Sequence, residues 1–234
     1  MIKRTILLLF ISISSFMNSQ FHEVGLFIGG SNYIGEVGSD YYILPTNSAF
    51  GLIYKWNINT RYSLRTSLIT TSLKASDYRT NDINRFGRAY SFENNLTEAS
   101  LGIEFNFVDF NLHNHEINFT PYLFLGLSYI NYDKFYFNSS LIPISKPISN
   151  DEQDQSFSIP LILGFKINPN PFFVVGFEIG AKYSLTDDLD GSAPDGDNTL
   201  KQYSYGNSNN NDWYIFSGIT ISFTFGDLAC YSRE

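Results

Sequence analysis

The three histidines are the first residues to test for chemistry, because imidazole serves as a general base and as a metal ligand. They are His22, His113 and His115. Only Glu116 lies beside the pair His113 and His115, whereas a zinc site takes three or four protein ligands. We therefore interpret this pair as part of a solvated turn, and we predict no metal site, no cofactor and no catalytic residue.

A second group of candidate ligands is acidic. The segment Asp187-Asp188-Leu189-Asp190-Gly191, followed by Asp195 and Asp197, resembles a calcium-binding loop in composition. The full spacing of such a loop, which ends in a ligating Glu, is missing. We interpret the segment as a turn rich in Asp and Gly, with calcium binding as the alternative.

Cys230 is the single cysteine of the chain. One cysteine in an exported protein indicates a disulfide to another protein or a free thiol. Disulfides persist outside the cytoplasm, so the first of these interpretations is open. A terminal cysteine without a function is the remaining alternative.

The N-terminus has the form of a removable export signal. Lys3 and Arg4 precede an apolar run, Ile6 to Ile13, and Met17-Asn18-Ser19 follows as a cleavage region. The run is too short to span a bilayer, and no cysteine near the cleavage region would carry a lipid anchor. We expect residues 1–19 to be removed.

The mature chain is acidic. The formal charge of the 234 residues is −8, and loss of the two signal-peptide cations brings it to −10. Nucleic acid demands clusters of Lys and Arg, which are missing, so we exclude a nucleic-acid partner. Most acidic residues fall in long connections between strands, where we expect them to be solvated. These include Asp151, Glu152, Asp154, Asp187, Asp188, Asp190, Asp195, Asp197 and Asp212.

Eight stretches of the chain alternate apolar and polar residues, as strands with one apolar face do. The connections between them are short at 57–60, around 109–116 and at 168–171, and long at roughly 33–46, 76–90, 136–154 and 186–212. Tight turns at one end and long loops at the other are typical of outer-membrane barrels. We therefore predict an all-β fold over residues 20–226: an eight-stranded antiparallel transmembrane β-barrel with short periplasmic turns, long extracellular loops and periplasmic termini.

The apolar face of these strands is expected to meet lipid. A soluble barrel with its apolar face inward is the alternative. However, aromatic residues cluster at strand ends within the apolar phase, as interfacial girdles do: Trp56, Tyr62, Phe107, Tyr129, Tyr183 and Trp213. The opposite phase is rich in Gly and Ser, which suit a narrow interior. We predict location in the outer membrane.

The inward phase also carries charges of both signs: Glu23, Lys55, Arg65, Glu104, Lys166, Glu178 and Lys182. In a narrow, poorly hydrated lumen each charge needs a partner. We predict a structural ion-pair network, with a proton path or pore as the alternative. An eight-stranded interior is filled by side chains, which favours the structural interpretation. His22 is expected to precede the first strand, and His113 and His115 to lie in a periplasmic turn. None of the histidines would therefore reach the outer rim, where a lipid-modifying enzyme would need its base.

Several segments, taken in order, resemble the PorG-like outer-membrane barrels of the type IX secretion system of Bacteroidota. They cover nearly the whole mature chain and comprise Glu23 to Gly35 with Pro45-Thr46, Asn59 to Arg65, Glu104 to Phe107, Thr120 to Phe124, Leu185 to Asp190, and Trp213-Tyr214 before Cys230. The chain departs from the family pattern at Thr60, where Pro is common, at Asp188, where Tyr is usual, and at Gly191, where Asp is usual.

The resemblance implies a non-enzymatic component of a protein secretion machine, which also serves gliding motility in some species. Such a barrel would bind a periplasmic ring, made of a lipoprotein and its ring partner, and hold it against the membrane. The contact surface would be the periplasmic turns and the tail 227–234, with Asp227, Tyr231 and Arg233 as contacts and Cys230 as a disulfide tether. The alternative is a generic small barrel for envelope integrity, or for adhesion through acidic outer loops.

Overall fold

The computed structural model describes residues 21–38, 41–80, 83–112, 117–136, 148–192 and 211–226. Eight antiparallel strands pair in chain order and the last pairs with the first, which closes a barrel and confirms the predicted fold. The strands are β1 (Phe21–Ile34), β2 (Asn47–Asn57), β3 (Tyr62–Ser76), β4 (Ser91–Asn106), β5 (Asn118–Tyr136), β6 (Ile148–Asn170), β7 (Phe173–Ser184) and β8 (Trp213–Phe225).

A one-turn 3-10 helix, Asp77–Arg79, and a short helix, α1 (Ile83–Arg88), lie between β3 and β4. Among the described residues, no helix combines the length and apolar character that crossing a membrane requires.

The two ends of the barrel differ in their connections. At one end, here called the short-turn end, residues 58–61, 107–117 and 171–172 join the strands. His22 of β1 pairs with Phe225 of β8, so the first strand begins and the last strand finishes at this end. The opposite end, here called the long-loop end, carries connections 35–46, 77–90, 137–147 and 185–212.

Asparagine side chains shape two of the short turns. The Asn59 carboxamide oxygen accepts hydrogen bonds from the backbone N–H groups of Arg61 and Tyr62, both at 2.8 Å. Asn170 does the same for Phe172 and Phe173, at 2.9 and 3.0 Å. Asn favours turns because its side chain mimics a backbone acceptor, so these residues explain where β2 and β6 end.

The strand faces divide as the alternation predicts. Along β4, Leu101 and Ile103 are more than half exposed, whereas Glu104 between Ile103 and Phe105 is fully buried. Aromatic side chains border this outward apolar belt at both ends: Tyr62 and Phe107 at the short-turn end, and Tyr129 and Trp213 toward the long-loop end. Exposed apolar side chains on every strand and buried charges inside are the reverse of a soluble barrel.

Three expectations about strand limits need correction. His22 lies within β1 rather than before it, and β6 continues to Asn170, because only Pro171 and Phe172 are needed for the turn. Residues 151, 152 and 154 belong to β6 rather than to a loop. Ile215 points outward, as the alternation predicts, but it is buried. The chain around Tyr42 covers this part of the barrel: Asn32, which pairs with Ile215 in the sheet, donates its side-chain amide to the Tyr42 carbonyl at 2.9 Å.

Candidate functional site: the charged lumen and the stoppered mouth

The structure places all seven charged side chains of the predicted network inside the barrel, each at most 2% exposed. An eighth residue, Glu98 of β4, points inward with them. These eight residues comprise four cations and four anions, so their formal charges cancel: Lys55, Arg65, Lys166 and Lys182 against Glu23, Glu98, Glu104 and Glu178.

Glu104 of β4 is the centre of the larger cluster. Lys55 of β2 approaches its Oε2 at 2.9 Å, and Lys166 of β6 donates to its Oε1 at 2.5 Å. The Arg65 Nη1 lies 3.5 Å from Oε2. One carboxylate thus joins three strands across the lumen, which no pairing between neighbouring strands would do.

Arg65 of β3 makes its main contact with Glu178 of β7. Two parallel N–H donors, Nη1 and Nη2, each lie 2.8 Å from a carboxylate oxygen. The Tyr122 hydroxyl donates to the same Glu178 carboxylate at 2.6 Å, and the Phe124 ring lies 5.2 Å from the guanidinium. Bidentate, charge-assisted bonds of this kind are among the stronger polar contacts in proteins.

The remaining cations and anions form smaller groups. Lys182 of β7 pairs with Glu98, which also accepts a hydrogen bond from the Tyr214 hydroxyl at 2.6 Å. Glu23 contacts an amide: Asn57 Nδ2 donates to its Oε1 at 2.8 Å. Sequence reasoning missed Glu98, although it continues the inward phase of Ser100 and Glu104 and could have been found by extending that alternation.

At the long-loop end, residues 188–192 are buried in the barrel mouth; we name this segment the stopper. Leu189 and Asp190 are fully buried. Asn94 Nδ2 donates to the Leu189 carbonyl at 2.8 Å, and the Tyr90 hydroxyl donates to the Asp190 carbonyl at 2.7 Å. Gly191 has a φ of 74°, which favours glycine and lets the chain turn back beside Phe135.

The stopper overturns the expectation that the acidic residues of this connection are solvated. Asp188, Asp190 and Asp212 are all buried, because side chains from strands distant in sequence surround them in the mouth. The single hydroxyl hydrogen of Tyr33 faces two carboxylates: its Oη is 2.9 Å from Asp190 Oδ2 and also contacts Asp212 Oδ1. One hydrogen cannot satisfy both contacts, so a second proton held on a carboxyl fits this geometry.

Burial explains the titration of this group. It raises the pKa of Asp190 to about 6 and the pKa of Asp212 well above its usual range, and the Asp190 charge raises the latter further. Burial, with the charges of Glu36 and Asp190, also raises the pKa of Asp187 to about 6. The mouth therefore favours protonated carboxyl groups.

One carboxylate grouping in the described part of the chain has ligand atoms close enough to share a cation. Single oxygens of Glu36, Asp187 and Asp212 lie within 4.8 Å of one another. Carboxylate oxygens suit a hard cation such as calcium, which was the alternative for this acidic segment. Asp212 Oδ2 already accepts the Leu189 backbone N–H at 3.0 Å, so protein donors occupy part of the grouping.

Other candidate residues fall elsewhere. Cys230, Asp227, Tyr231 and Arg233 lie outside the described residues, as do His113, His115, Asp195 and Asp197. His22 lies in β1, where its Nδ1 is 2.9 Å from the Tyr54 hydroxyl and its ring stacks with that of Tyr54. This position is at the short-turn end, far along the barrel from the stopper.

These features define the class of protein. The outward face of every strand carries an apolar belt bordered by aromatic residues, closure pairs the strand backbones, and the buried charges neutralise one another. The chain is a membrane-spanning eight-stranded β-barrel of the outer-membrane type.

The chain belongs to the family described as a domain of unknown function (DUF6089), whose sequence model matches residues 3–234. No curated protein matches the chain. Among solved structures, it is similar to Ail, the attachment invasion locus protein of Yersinia pestis, in complex with the heparin analogue sucrose octasulfate: 15% identity and a TM-score of 0.46 over 88% of this chain and 99% of that one.

Two further structures show comparable similarity. The N-terminal β-barrel domain of Pseudomonas aeruginosa OprF has 15% identity and a TM-score of 0.47, over 88% of this chain and 98% of that one. A major outer membrane protein from Thermus thermophilus has 10% identity and a TM-score of 0.47, over 89% of this chain and 100% of that one.

Proposed function

We propose that this barrel is a non-enzymatic component of type IX protein secretion that positions a periplasmic ring, containing a lipoprotein, at the outer membrane. The observation that carries the proposal is the filled lumen. The Glu104 and Glu98 clusters join the strands across the interior, and the stopper occupies the mouth. A barrel occupied in this way has its rims as contact surfaces, and the resemblance described above points to the periplasmic rim.

The short-turn end has the properties of a docking platform. The Arg61 side chain joins the 58–61 and 107–117 connections: its Nη1 donates to the Phe107 carbonyl at 2.7 Å, and its Nε contacts Asp109. Backbone bonds support the same junction, since the Phe110 N–H donates to the Thr60 carbonyl at 3.1 Å. At the described residues of these two connections, a partner would therefore meet backbone that is already ordered, so that little entropy would be lost on binding.

Cys230 is the proposed tether to that partner. It follows Phe225, the last residue of β8, by five positions, so an extended tail would carry its thiol at most about 18 Å from the short-turn end. Joining two thiols releases two protons and two electrons, which a periplasmic disulfide oxidant accepts as it is reduced to a dithiol. The resulting disulfide would make a modest docking contact durable, and Asp227, Tyr231 and Arg233 would supply the non-covalent contacts.

The test uses Cys230→Ser, with Ser232→Ala in the same tail as the matched control. The full-length protein is expressed in its own host, free thiols are blocked before lysis, and non-reducing gels are compared with reducing gels. We expect a crosslinked species containing a ring protein in the wild type and in Ser232→Ala, together with impaired export in Cys230→Ser. Normal export and the same gel pattern in all three proteins would overturn the tether.

The alternative, a generic barrel for envelope integrity or adhesion, has less support in this structure. Adhesion through acidic outer loops requires displayed carboxylates, and Asp188, Asp190 and Asp212 are buried in the mouth. Co-purification in mild detergent separates the two proposals: a ring protein should co-purify with the wild type under non-reducing conditions. Retrieval of no secretion component by either the wild type or a crosslinked sample would favour the generic barrel.

A further inference from the structure

The connection between β3 and β4 displays apolar side chains that water would not favour. Tyr78 is 63% exposed, Ile83 is 86% exposed and Phe86 is 54% exposed. The Tyr78 and Phe86 rings pack edge to face with centroids 6.0 Å apart, so they form one small apolar surface. Side chains of this kind beside a lipid-facing belt are typical of contacts at the membrane interface.

Cations accompany this apolar surface. Lys74 lies on the outward face of β3, two residues before the strand ends, and Arg79 closes the 3-10 turn that follows. Both border a cavity of about 410 Å³ whose lining also includes Ser76, Ser91, Phe92 and Glu93. In a chain of formal charge −8, two cations at one cavity are a local departure from the overall charge.

The acidic residues near this cavity do not cancel both cations. Glu93 pairs with Lys74 at 3.1 Å, and both side chains are about half exposed. Asp77 is fully buried and points inward: its Oδ1 accepts the Gly38 N–H at 3.1 Å and its Oδ2 accepts the Tyr90 N–H at 3.2 Å. Among the described residues that line the cavity, the charge is therefore positive by one.

Exposed apolar surface also lies beside the cavity. The segment 41–46 lies beside it, because the Thr46 hydroxyl donates to the Lys74 carbonyl at 2.7 Å. The same segment exposes Tyr41, Tyr42, Ile43 and Leu44. Apolar surface thus flanks the cations on two sides, and Leu68 continues it along the outward face of β3 toward the belt.

We propose that this cavity binds the phosphate group of an anionic lipid in the leaflet at the long-loop end. The Arg79 guanidinium offers paired donors to phosphate oxygens, and Lys74 adds a point charge. Ser76 and Ser91 supply hydroxyl donors, while the acyl chains lie against the belt and the exposed side chains of the two neighbouring connections. Charge and apolar contact together identify a lipid rather than a soluble anion.

The test measures binding of defined lipids to the detergent-purified mature protein by native mass spectrometry. The probes are bisphosphorylated lipid A and the same lipid after removal of its phosphates. Since both side chains would lose charge-assisted hydrogen bonds to the phosphate, Lys74→Gln/Arg79→Gln should weaken binding of the phosphorylated lipid by about tenfold or more. Lys134→Gln, which removes a cation from β5, is the matched control and should change binding less than about twofold.

Two further arms separate the sources of phosphate. Glu93→Gln removes the competing carboxylate and should strengthen lipid binding. Inorganic phosphate should fail to displace the lipid, because it makes none of the apolar contacts. Equal binding of both lipids, equal loss in Lys134→Gln, or displacement by inorganic phosphate would overturn the proposal. Lys74 and Arg79 lie at the exposed rim rather than in the lumen, and an unchanged thermal unfolding profile verifies that the double variant folds.

Discussion

Removing the charge of Glu104 should destabilise the barrel strongly. In Glu104→Gln the carboxylate that meets Lys55 at 2.9 Å and Lys166 at 2.5 Å becomes a neutral amide. Both ammonium groups then remain buried without that neutralising partner. Breaking a buried ion pair by removing one partner costs about 3–5 kcal/mol. We expect a loss of this size in the free energy of unfolding, which shifts the folding equilibrium by a factor of about a hundred to several thousand.

The assay is reversible urea unfolding in phospholipid vesicles at neutral pH. The chain has two tryptophans, Trp56 and Trp213, in different strands, so fluorescence follows the loss of the barrel directly. Glu93→Gln is the matched control, because it also neutralises a glutamate paired with a lysine but at an exposed site. That variant should lie within about 1 kcal/mol of the wild type.

A third variant tests the cause. Glu104→Gln/Lys166→Met removes one of the stranded cations together with the carboxylate, so it should recover part of the loss. If Glu104→Gln instead unfolds within about 1 kcal/mol of the wild type, water or ions must solvate the lysines inside the barrel. That result would refute the filled lumen, and with it the reason for assigning function to the rims.

Three other predictions concern the mouth and the packing. Burial raises the pKa of Asp190 to about 6, whereas an unfolded Asp titrates near about 4, so the folded stopper binds more protons between these values and loses stability as the pH rises through them. Amide exchange at Leu189, corrected for its intrinsic rate and measured in EDTA, should be slower at about pH 5 than at about pH 7.5, and Asp190→Asn should reduce the difference; equal protection would contradict this. Leu189→Ala should lower the free energy of opening the stopper, measured by the same amide exchange, by about 2–5 kcal/mol. It should leave urea unfolding of the barrel unchanged. Gly164→Ala should cost about 1–3 kcal/mol, since its methyl group would overlap the Tyr122 ring, whereas Gly87→Ala has open space and should cost little; equal effects would refute the close approach.

Periodicity was sufficient to predict the barrel and the inward charges. In a strand, successive side chains point to opposite faces, so the apolar neighbours Ile103 and Phe105 are enough to assign Glu104 to the inward face. Asparagine in the short turns is also readable from sequence, because its turn chemistry is local. These parts of the fold depend on residues close together along the chain.

Partners across the lumen are not predicted by periodicity. Arg65 and Glu178 belong to strands on different sides of the barrel, and their contact depends on strand tilt and stagger around the whole circumference. Alternation fixes that both residues point inward, yet it leaves open which carboxylate each cation meets. The aromatic hydroxyls of Tyr122 and Tyr214 were missed for the same reason.

The stopper was missed because its composition is that of an exposed turn. Asp190 is buried by Tyr33 and Tyr90, which lie about a hundred or more residues earlier in the chain. Hydrophobic pattern cannot predict such burial, since the residues that enter the mouth are mostly polar. Only long-range hydrogen bonds distinguish this segment from a solvated loop.

The lumen and the mouth of the barrel differ in how their charged groups are neutralised, and this difference bears on function. In the lumen, eight charges cancel in pairs and clusters across the strands, so a conformational change there would strand a charge away from water. In the mouth, the single hydroxyl hydrogen of Tyr33 faces the carboxyl groups of both Asp190 and Asp212. We therefore expect the lumen to stay filled by its charged side chains and the stopper to loosen separately from the barrel, as the Leu189→Ala measurement tests. This contrast agrees with the proposed role as a fixed support in the membrane whose rims, rather than its interior, would meet other molecules.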